Sequence, residues 1–193
     1  YCPANNFIPQ NIIIANKLVN IGNLIYPLGI FVLLAESNST NLTDGLDGLL
    51  SGCSVLIFTG LAITILIDNP SNDFTLAPLC ITMAGASMGF LFLNKYPAKI
   101  FMGDSGSLAI GASLGGIALI SNQLWSLLIM GGILAAESIS VIIQVSIFKI
   151  SKRVKGKGYK LFLMTPLHHH FELKGNDENL ICLLYTSDAA DEP

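Results

Sequence analysis

Charge is what this sequence has least of. Only 12% of its 193 residues are Asp, Glu, Lys or Arg, against about 25% in a typical soluble domain. So few charges cannot cover a water-facing surface, which excludes an ordinary soluble globule. No nucleic-acid partner is expected either. Histidine is scarcer still: there are three, and they are consecutive, at His168, His169 and His170. The cysteines, Cys2, Cys53, Cys80 and Cys182, are scattered, and two lie in apolar runs. That spacing excludes a metal knot or a disulfide framework and leaves them as small apolar fillers. No two aspartates are adjacent anywhere in the chain.

What is present is apolar length. Hydrophobic residues make up 52% of the chain, and the mean hydropathy is +0.63. Residues 49–67 and 76–93 carry no charge, and residues 124–148 carry one, Glu137. Each run is close to the roughly 20 residues that cross a bilayer as a helix. Two shorter glycine-bearing runs, 21–35 and 107–121, bring the expected count to about five spans. Backbone groups in lipid must be satisfied within the segment, so the spans are expected to be helices. The expected fold class is all-α, a polytopic membrane helix bundle.

The charges that exist are segregated. Lys149, Lys152, Arg153, Lys155, Lys157 and Lys160 follow the last long run. The positive-inside rule puts that loop in the cytoplasm. The loop at 68–75, "DNPSNDFT", has acids and no Lys or Arg, and it falls outside by parity. Counting spans backwards from the basic loop places 37–48, 94–106 and 149–175 on one membrane face. These three segments hold the polar motifs, and their convergence suggests a site.

The first motif is "NLTDGLDGL" at 41–49. Asn41, Asp44 and Asp47 are spaced three apart, so on a helix they share a face. The simpler reading is an Asp/Gly turn capping the next helix, but a turn needs one Asp. The second is "NKYPAKIFMGDSGS" at 94–107. Asp104 stands just before an apolar helix, where it can cap the helix or hold a hard cation such as Mg²⁺ with substrate phosphates. Phe101 is either a stacking platform or an interfacial aromatic, and Lys95 and Lys99 are either charge-bearing site residues or interfacial anchors. The third is "TPLHHHFELKG" at 165–175. Adjacent helical side chains diverge by about 100°, so at most two of the histidines can point into one site. That favours phosphate contacts over a three-histidine metal centre. Glu137 is open between a functional group within the membrane and a structural polar anchor.

Together, "NLTDGLDGL", "FMGDSGSLAIG" and "PLHHHFELKG" resemble the polyprenyl-phosphate sugar-1-phosphate transferases, and within them the bacterial phospho-N-acetylmuramoyl-pentapeptide transferase family. The resemblance covers the chain up to about Gly175. The first two motifs occur across the wider superfamily; "PLHHHFE" is the specific one. The resemblance implies Mg²⁺-dependent transfer of phospho-MurNAc-pentapeptide from UDP-MurNAc-pentapeptide to undecaprenyl phosphate, giving lipid I and UMP in peptidoglycan synthesis. It implies a multi-pass protein of the bacterial inner membrane with a cytoplasmic active site, and leaves a homodimer open. By the same resemblance Asp104 matches the magnesium-binding aspartate, and Asn94 the asparagine opening that loop, near the metal. Phe101 matches an aromatic stacked on uracil. Asn41, Asp44 and Asp47 match the polar set around the nucleoside and the site floor. His168 and His169 match essential histidines that contact phosphate, and His170 follows them. Asp104, His168, His169 and Asp47 are therefore the expected catalytic residues; Asn41, Asp44, Phe101, Asn94 and His170 are expected to bind substrate.

The departures matter. The family carries an upstream pair of adjacent aspartates in a DDxxK-type motif, and this chain has none. Residues 1–175 are expected to form part of a transferase core, and the piece alone is expected to be inactive. Residues 176–193, polar and acidic, are expected to be an atypical, poorly ordered or non-native tail. Two other functions compete. A UDP-N-acetylhexosamine:polyprenyl-phosphate transferase fits less well because of "PLHHHFE". An ion-coupled transporter would place its acids near the midplane, often in repeated halves, whereas here they gather at one interface.

Overall fold

The computed structural model describes residues 11–14, 17–68 and 76–188. It opens with an antiparallel hairpin, β1 (Asn11–Ile14) and β2 (Lys17–Asn20), in which Asn11 pairs with Asn20 and Ile14 with Lys17. Among the described residues this small ribbon is the one departure from the all-α expectation. Helices follow: α1 (Ile25–Thr43), α2 (Leu49–Asp68), α3 (Leu76–Asn94), α4 (Gly103–Ile120), α5 (Leu124–Met130), α6 (Gly132–Lys155), α7 (Leu167–Leu173) and α8 (Glu178–Asp188). The helices α2, α3, α4 and α6 are long and apolar enough to cross a membrane. At 19 residues α1 is as long as α3, but its second half is polar. The acidic loop expected outside the membrane lies, apart from Asp68, beyond the described residues, as does Cys2.

The centre of the bundle is α2. Leu49, Leu50, Cys53, Ile57, Phe58, Leu61, Ala62 and Ile65 are all buried, and α3 lies alongside. A second pairing, α1 on α4, positions the site. It is a close crossing: a Cβ at Gly111 would stand 2.3 Å from Thr40 Oγ1 and 2.5 Å from the Glu36 carbonyl. Small residues at such a seam let two backbones approach in the way lipid-embedded helices pack.

The helix ends differ from those expected from hydropathy. α1 runs on to Thr43 instead of stopping near 35, and its polar side chains satisfy their hydroxyls on the helix's own carbonyls. Thr40 Oγ1 donates to the Glu36 carbonyl at 2.9 Å, and Thr43 Oγ1 to that of Ser39 at 2.8 Å. Asn41 thereby rides on the last turn. α4 starts at Gly103, which brings Asp104 into its first turn.

The run 124–148, expected as one span, breaks at Gly131, beside a second glycine at 132. Two glycines offer no side chain to support a helical turn and cost more backbone entropy than any other pair. α6 then continues past 148 to Lys155, with Lys152, Arg153 and Lys155 in its last turn, where cations suit the helix dipole. Gly156, at φ 70°, ends it in the left-handed conformation that glycine adopts freely. Buried positions on α6 stop at Ser140; beyond it Ile142, Ile150 and Val154 are exposed. The chain then returns alongside. Gln144 Nε2 donates to the Phe162 carbonyl at 3.0 Å, and its Oε1 accepts the N–H groups of Leu161 at 2.9 Å and Phe162 at 3.0 Å.

The stretch after Gly175, expected to be loosely packed, is helical over Glu178–Asp188. Its apolar run "LICLLY" gives it a face to bury: Ile181 is fully buried in the core around α2. Eleven residues span about 16 Å, so α8 is far too short to cross a bilayer. Residues 189–193 lie outside the described residues.

Candidate functional site

The three polar motifs meet where the last turn of α1, the 44–48 turn, the 95–102 loop, the start of α4 and α7 come together. The junction is stitched by hydrogen bonds between motifs far apart in sequence. Asn41 Nδ2 donates to Asp104 Oδ1 at 3.0 Å and lies 3.1 Å from Ser107 Oγ, which accepts from it. Ser107 is fully buried beneath them. Asp104 itself is exposed, in the first turn of a helix whose free N–H groups favour negative charge.

Asp44 caps the C-terminus of α1, half-buried. Burial, followed by the neighbouring Asp104 charge, pushes its carboxyl up to about 6. Asp44, near enough to feel the Asp104 charge, and the solvent-exposed Asp104 form a donor set suited to a hard cation. Magnesium is commonly held by one or two protein carboxylates, with water and substrate phosphate completing its sphere. No group of three His, Cys, Asp or Glu side chains among the described residues is placed to hold a metal ion by itself.

Asp47 and Asn94 do different work. Asp47 Oδ2 accepts the Ala98 N–H at 2.8 Å, tying the first turn to the second loop. Asn94 is buried. Its Oδ1 accepts from Gly48 N–H at 3.1 Å and Ser51 Oγ at 3.0 Å, and its Nδ2 donates to the Ile100 carbonyl at 3.0 Å. Both lone pairs of that oxygen are engaged by the protein, so Asn94 joins the two loops and offers no oxygen to a metal. Gly48, at φ 78°, lets the turn pass close to Lys95 Cα, which a Cβ would meet at 3.4 Å. Phe101 is 75% exposed, a bare ring on the loop next to Asp104.

The three histidines take three separate partners. His168 is fully buried, its Nδ1 lying 3.3 Å from Glu137 Oε1. That is within ion-pair reach but not aligned as a hydrogen bond. Its Nε2 faces Gly45, where a Cβ would come within 2.5 Å. His169 is partly exposed and sits 2.9 Å from Glu172 Oε2 through Nδ1. His170 Nδ1 accepts the Leu163 N–H at 3.2 Å, and its ring packs edge-on to Phe162. The His168 and His169 rings nonetheless stay close, their centroids 4.4 Å apart and their planes tilted by 56°.

A family model described as glycosyl transferase family 4 matches residues 4–122. The chain belongs to glycosyl transferase family 4. Over 180 residues it is 91% identical to the phospho-N-acetylmuramoyl-pentapeptide-transferase of Prochlorococcus marinus (strain NATL2A), covering 93% of this chain and 48% of that protein. Over 161 residues it is 59% identical to the protein of the same name in Synechococcus sp. (strain CC9605), covering 83% of this chain and 46% of that one. The chain spans about half the length of the curated relatives it matches.

Within this family 4 chain the structure brings Asn41, Asp44 and Asp104 together, sets Asp47 and Asn94 as ties between loops, and buries His168. One residue escapes the sequence: Ser107, part of the "GDSGS" run, has no feature that separates a partner of Asn41 from a helix serine. Glu137 stands out in the sequence, but its role does not. Its signal was visible, a lone charge in an apolar run, but its partners lie thirty and more residues away and only the fold reveals them.

Proposed function

We propose that this chain carries part of the active site of a phospho-N-acetylmuramoyl-pentapeptide transferase. The reaction moves phospho-MurNAc-pentapeptide from its UDP carrier to undecaprenyl phosphate. An acceptor phosphate oxygen attacks the phosphorus attached to the sugar; the bond from that phosphorus to the bridging oxygen breaks. UMP leaves with that oxygen, and lipid I forms. The observation that carries this reading is the Asn41–Asp104 hydrogen bond. It joins two polar motifs into one carboxylate-bearing cluster, in a chain 91% identical to a protein of that name.

Both substrates are anionic, so their repulsion must be screened before phosphorus and oxygen can meet. Asp104, with Asp44 beside it, is the place for Mg²⁺, which when bound neutralises diphosphate charge. Asn41 orients the Asp104 carboxylate. Phe101 offers a flat face for uracil. His169, open to solvent, is placed to contact a phosphate, and Lys95 and Lys99 add positive charge at the rim. One substrate is water-soluble and the other lipid-anchored, which calls for a site at a membrane face. The basic run 149–160 supports the cytoplasmic face of an inner membrane.

The test is a chimera in which the 180 matching residues of the Prochlorococcus protein are replaced by those of this chain. UMP release from UDP-MurNAc-pentapeptide is then measured with undecaprenyl phosphate and Mg²⁺. Activity that depends on both lipid and metal is expected. A chimera that inserts stably but releases no UMP would overturn the assignment.

A further inference from the structure

Glu137 and His168 are both fully buried, and the reaction outlined above uses neither directly. A buried carboxylate is costly unless its oxygens are matched by donors or positive charge, and this one is matched closely. Glu137 Oε2 accepts the Leu167 N–H at 2.6 Å, and Oε1 accepts the His168 N–H at 3.2 Å. These are the first N–H groups of α7, which have no partner within the helix. The His168 ring lies over the same carboxylate, and the Tyr185 hydroxyl also donates to it. On its far side the ring meets Gly45 of the "TDGLDG" turn. Glu137 is therefore where α6, the start of α7 and the first motif join. Its neighbour Ser138 donates to Ser39 Oγ at 2.8 Å, which sets this part of α6 level with the polar end of α1.

We propose that Glu137 is a positioning residue for the histidine segment. Its carboxylate fixes the first turn of α7 and holds the His168 ring between itself and Gly45. His170 is occupied by the Leu163 N–H, so His169, partly exposed and paired through Nδ1 with Glu172, is left as the histidine to meet a phosphate. The division of labour is one buried positioner, one outward-facing ring and one fastener of the returning chain. The assignment of phosphate to His169 rests on the transferase reading; the positioning by Glu137 does not.

The experiment reads the rings themselves. This chain, reconstituted in lipid nanodiscs, is treated with diethyl pyrocarbonate, and modification of each histidine is followed by fragment mass spectrometry. His169 should react readily and His168 more slowly by roughly tenfold or more, the scale of protection set by local opening. Glu137→Gln removes the charge and one of the two acceptors without changing shape. It should bring the His168 rate to within about twofold of the His169 rate, and Glu137→Asp, which keeps the carboxylate, should restore part of the protection. Equal rates in the unaltered chain, or no change in Glu137→Gln, would overturn the proposal.

If Glu137→Gln loses helical signal, Gly45→Ala presses on the same ring from the other side. It should also expose His168, and an unchanged rate there overturns the idea equally. In the active chimera, Glu137→Gln should lower kcat while KM for the nucleotide donor holds. A labelling change without any loss of kcat would leave the positioning intact and remove the phosphate role of the histidines.

Discussion

Two carboxylates at opposite sides of the site show how differently a protein can use the same group. Asp104 is exposed, stands on the first turn of α4, and has one side-chain donor, Asn41, among the described residues. Glu137 is fully buried and takes two backbone N–H groups, a hydroxyl and an imidazole. The first keeps lone pairs and charge available to a ligand. The second has both committed to the protein, so it can organise a segment but cannot receive a cation. A charge left partly unsatisfied in solvent points to binding; one saturated in the core points to architecture.

The largest test of that contrast is Asp104→Asn. In the active chimera it should lower kcat by roughly 10³-fold, the scale of a lost electrostatic contribution to a phosphoryl transition state. Mg²⁺ dependence should weaken with it, since an amide is a poorer ligand for a hard dication. Thermal stability should hold, because the lost charge was exposed and crowded by Asp44. A drop in melting temperature matching the loss of activity would place Asp104 with Glu137 as an architectural group.

The second test inverts the pattern. His168→Ala should lower activity and stability together. Removing the ring leaves the Glu137 carboxylate without its imidazole and opens a cavity, which costs about 3 kcal/mol. This differs from the expectation for a surface loop histidine, whose loss would spare the fold. An altered kcat with an unchanged unfolding midpoint in the same membrane preparation would mean that His168 is not the buried partner described. His169→Ala, by contrast, should spare stability.

Asn94→Ala comes third. It removes one acceptor shared by Gly48 and Ser51 and one donor to Ile100, leaving buried groups unpaired at a cost of about 1–3 kcal/mol. Because those bonds tie the first motif to the Phe101 loop, KM for the nucleotide donor should rise more than kcat falls. The reverse split would mark Asn94 as a participant in the chemistry.

These residues also show what could be read in advance. The meeting of the three motifs was legible, because counting apolar spans puts all three at one end of the bundle without any contact being known. Helix ends were legible less well. Hydropathy reports where lipid is, whereas α1 continues through the polar "SNSTNLT", whose threonine hydroxyls are satisfied on its own carbonyls. The break at Gly131 was written in the sequence as a glycine pair, but the apolar residues on both sides masked it. Roles within the site were hidden for a physical reason. Asp104 and Asn94 share a loop and a polar character, and only the count of satisfied lone pairs separates a ligand-binding oxygen from a committed one. The hairpin of β1 and β2 has strands of four residues, too short for an alternating pattern to stand out.

The smallest expected effect concerns Asp44, which lies between the two extremes, half-buried and capping α1. Its carboxyl is raised to about 6 by burial and then by the Asp104 charge. A group whose folded pKa lies above its unfolded value stabilises the fold at low pH and loses that contribution as pH rises through the folded pKa. Without a cation, then, the stability owed to Asp44 is present below about 4 and gone above about 6. A cation between Asp44 and Asp104 acts in the opposite sense, since it favours the ionised carboxylate and is displaced by protons. Mn²⁺ affinity, measured by electron paramagnetic resonance on this chain in nanodiscs, should therefore fall roughly tenfold from pH 7 to pH 5. In Asp44→Asn the affinity should start lower and the slope over that range should flatten. At neutral pH the same variant should unfold slightly later than the parent when no metal is added, because a destabilising charge has been removed. If the slope survives the substitution, the titrating ligand is another group, and Asp44 belongs with the committed side chains and not with Asp104.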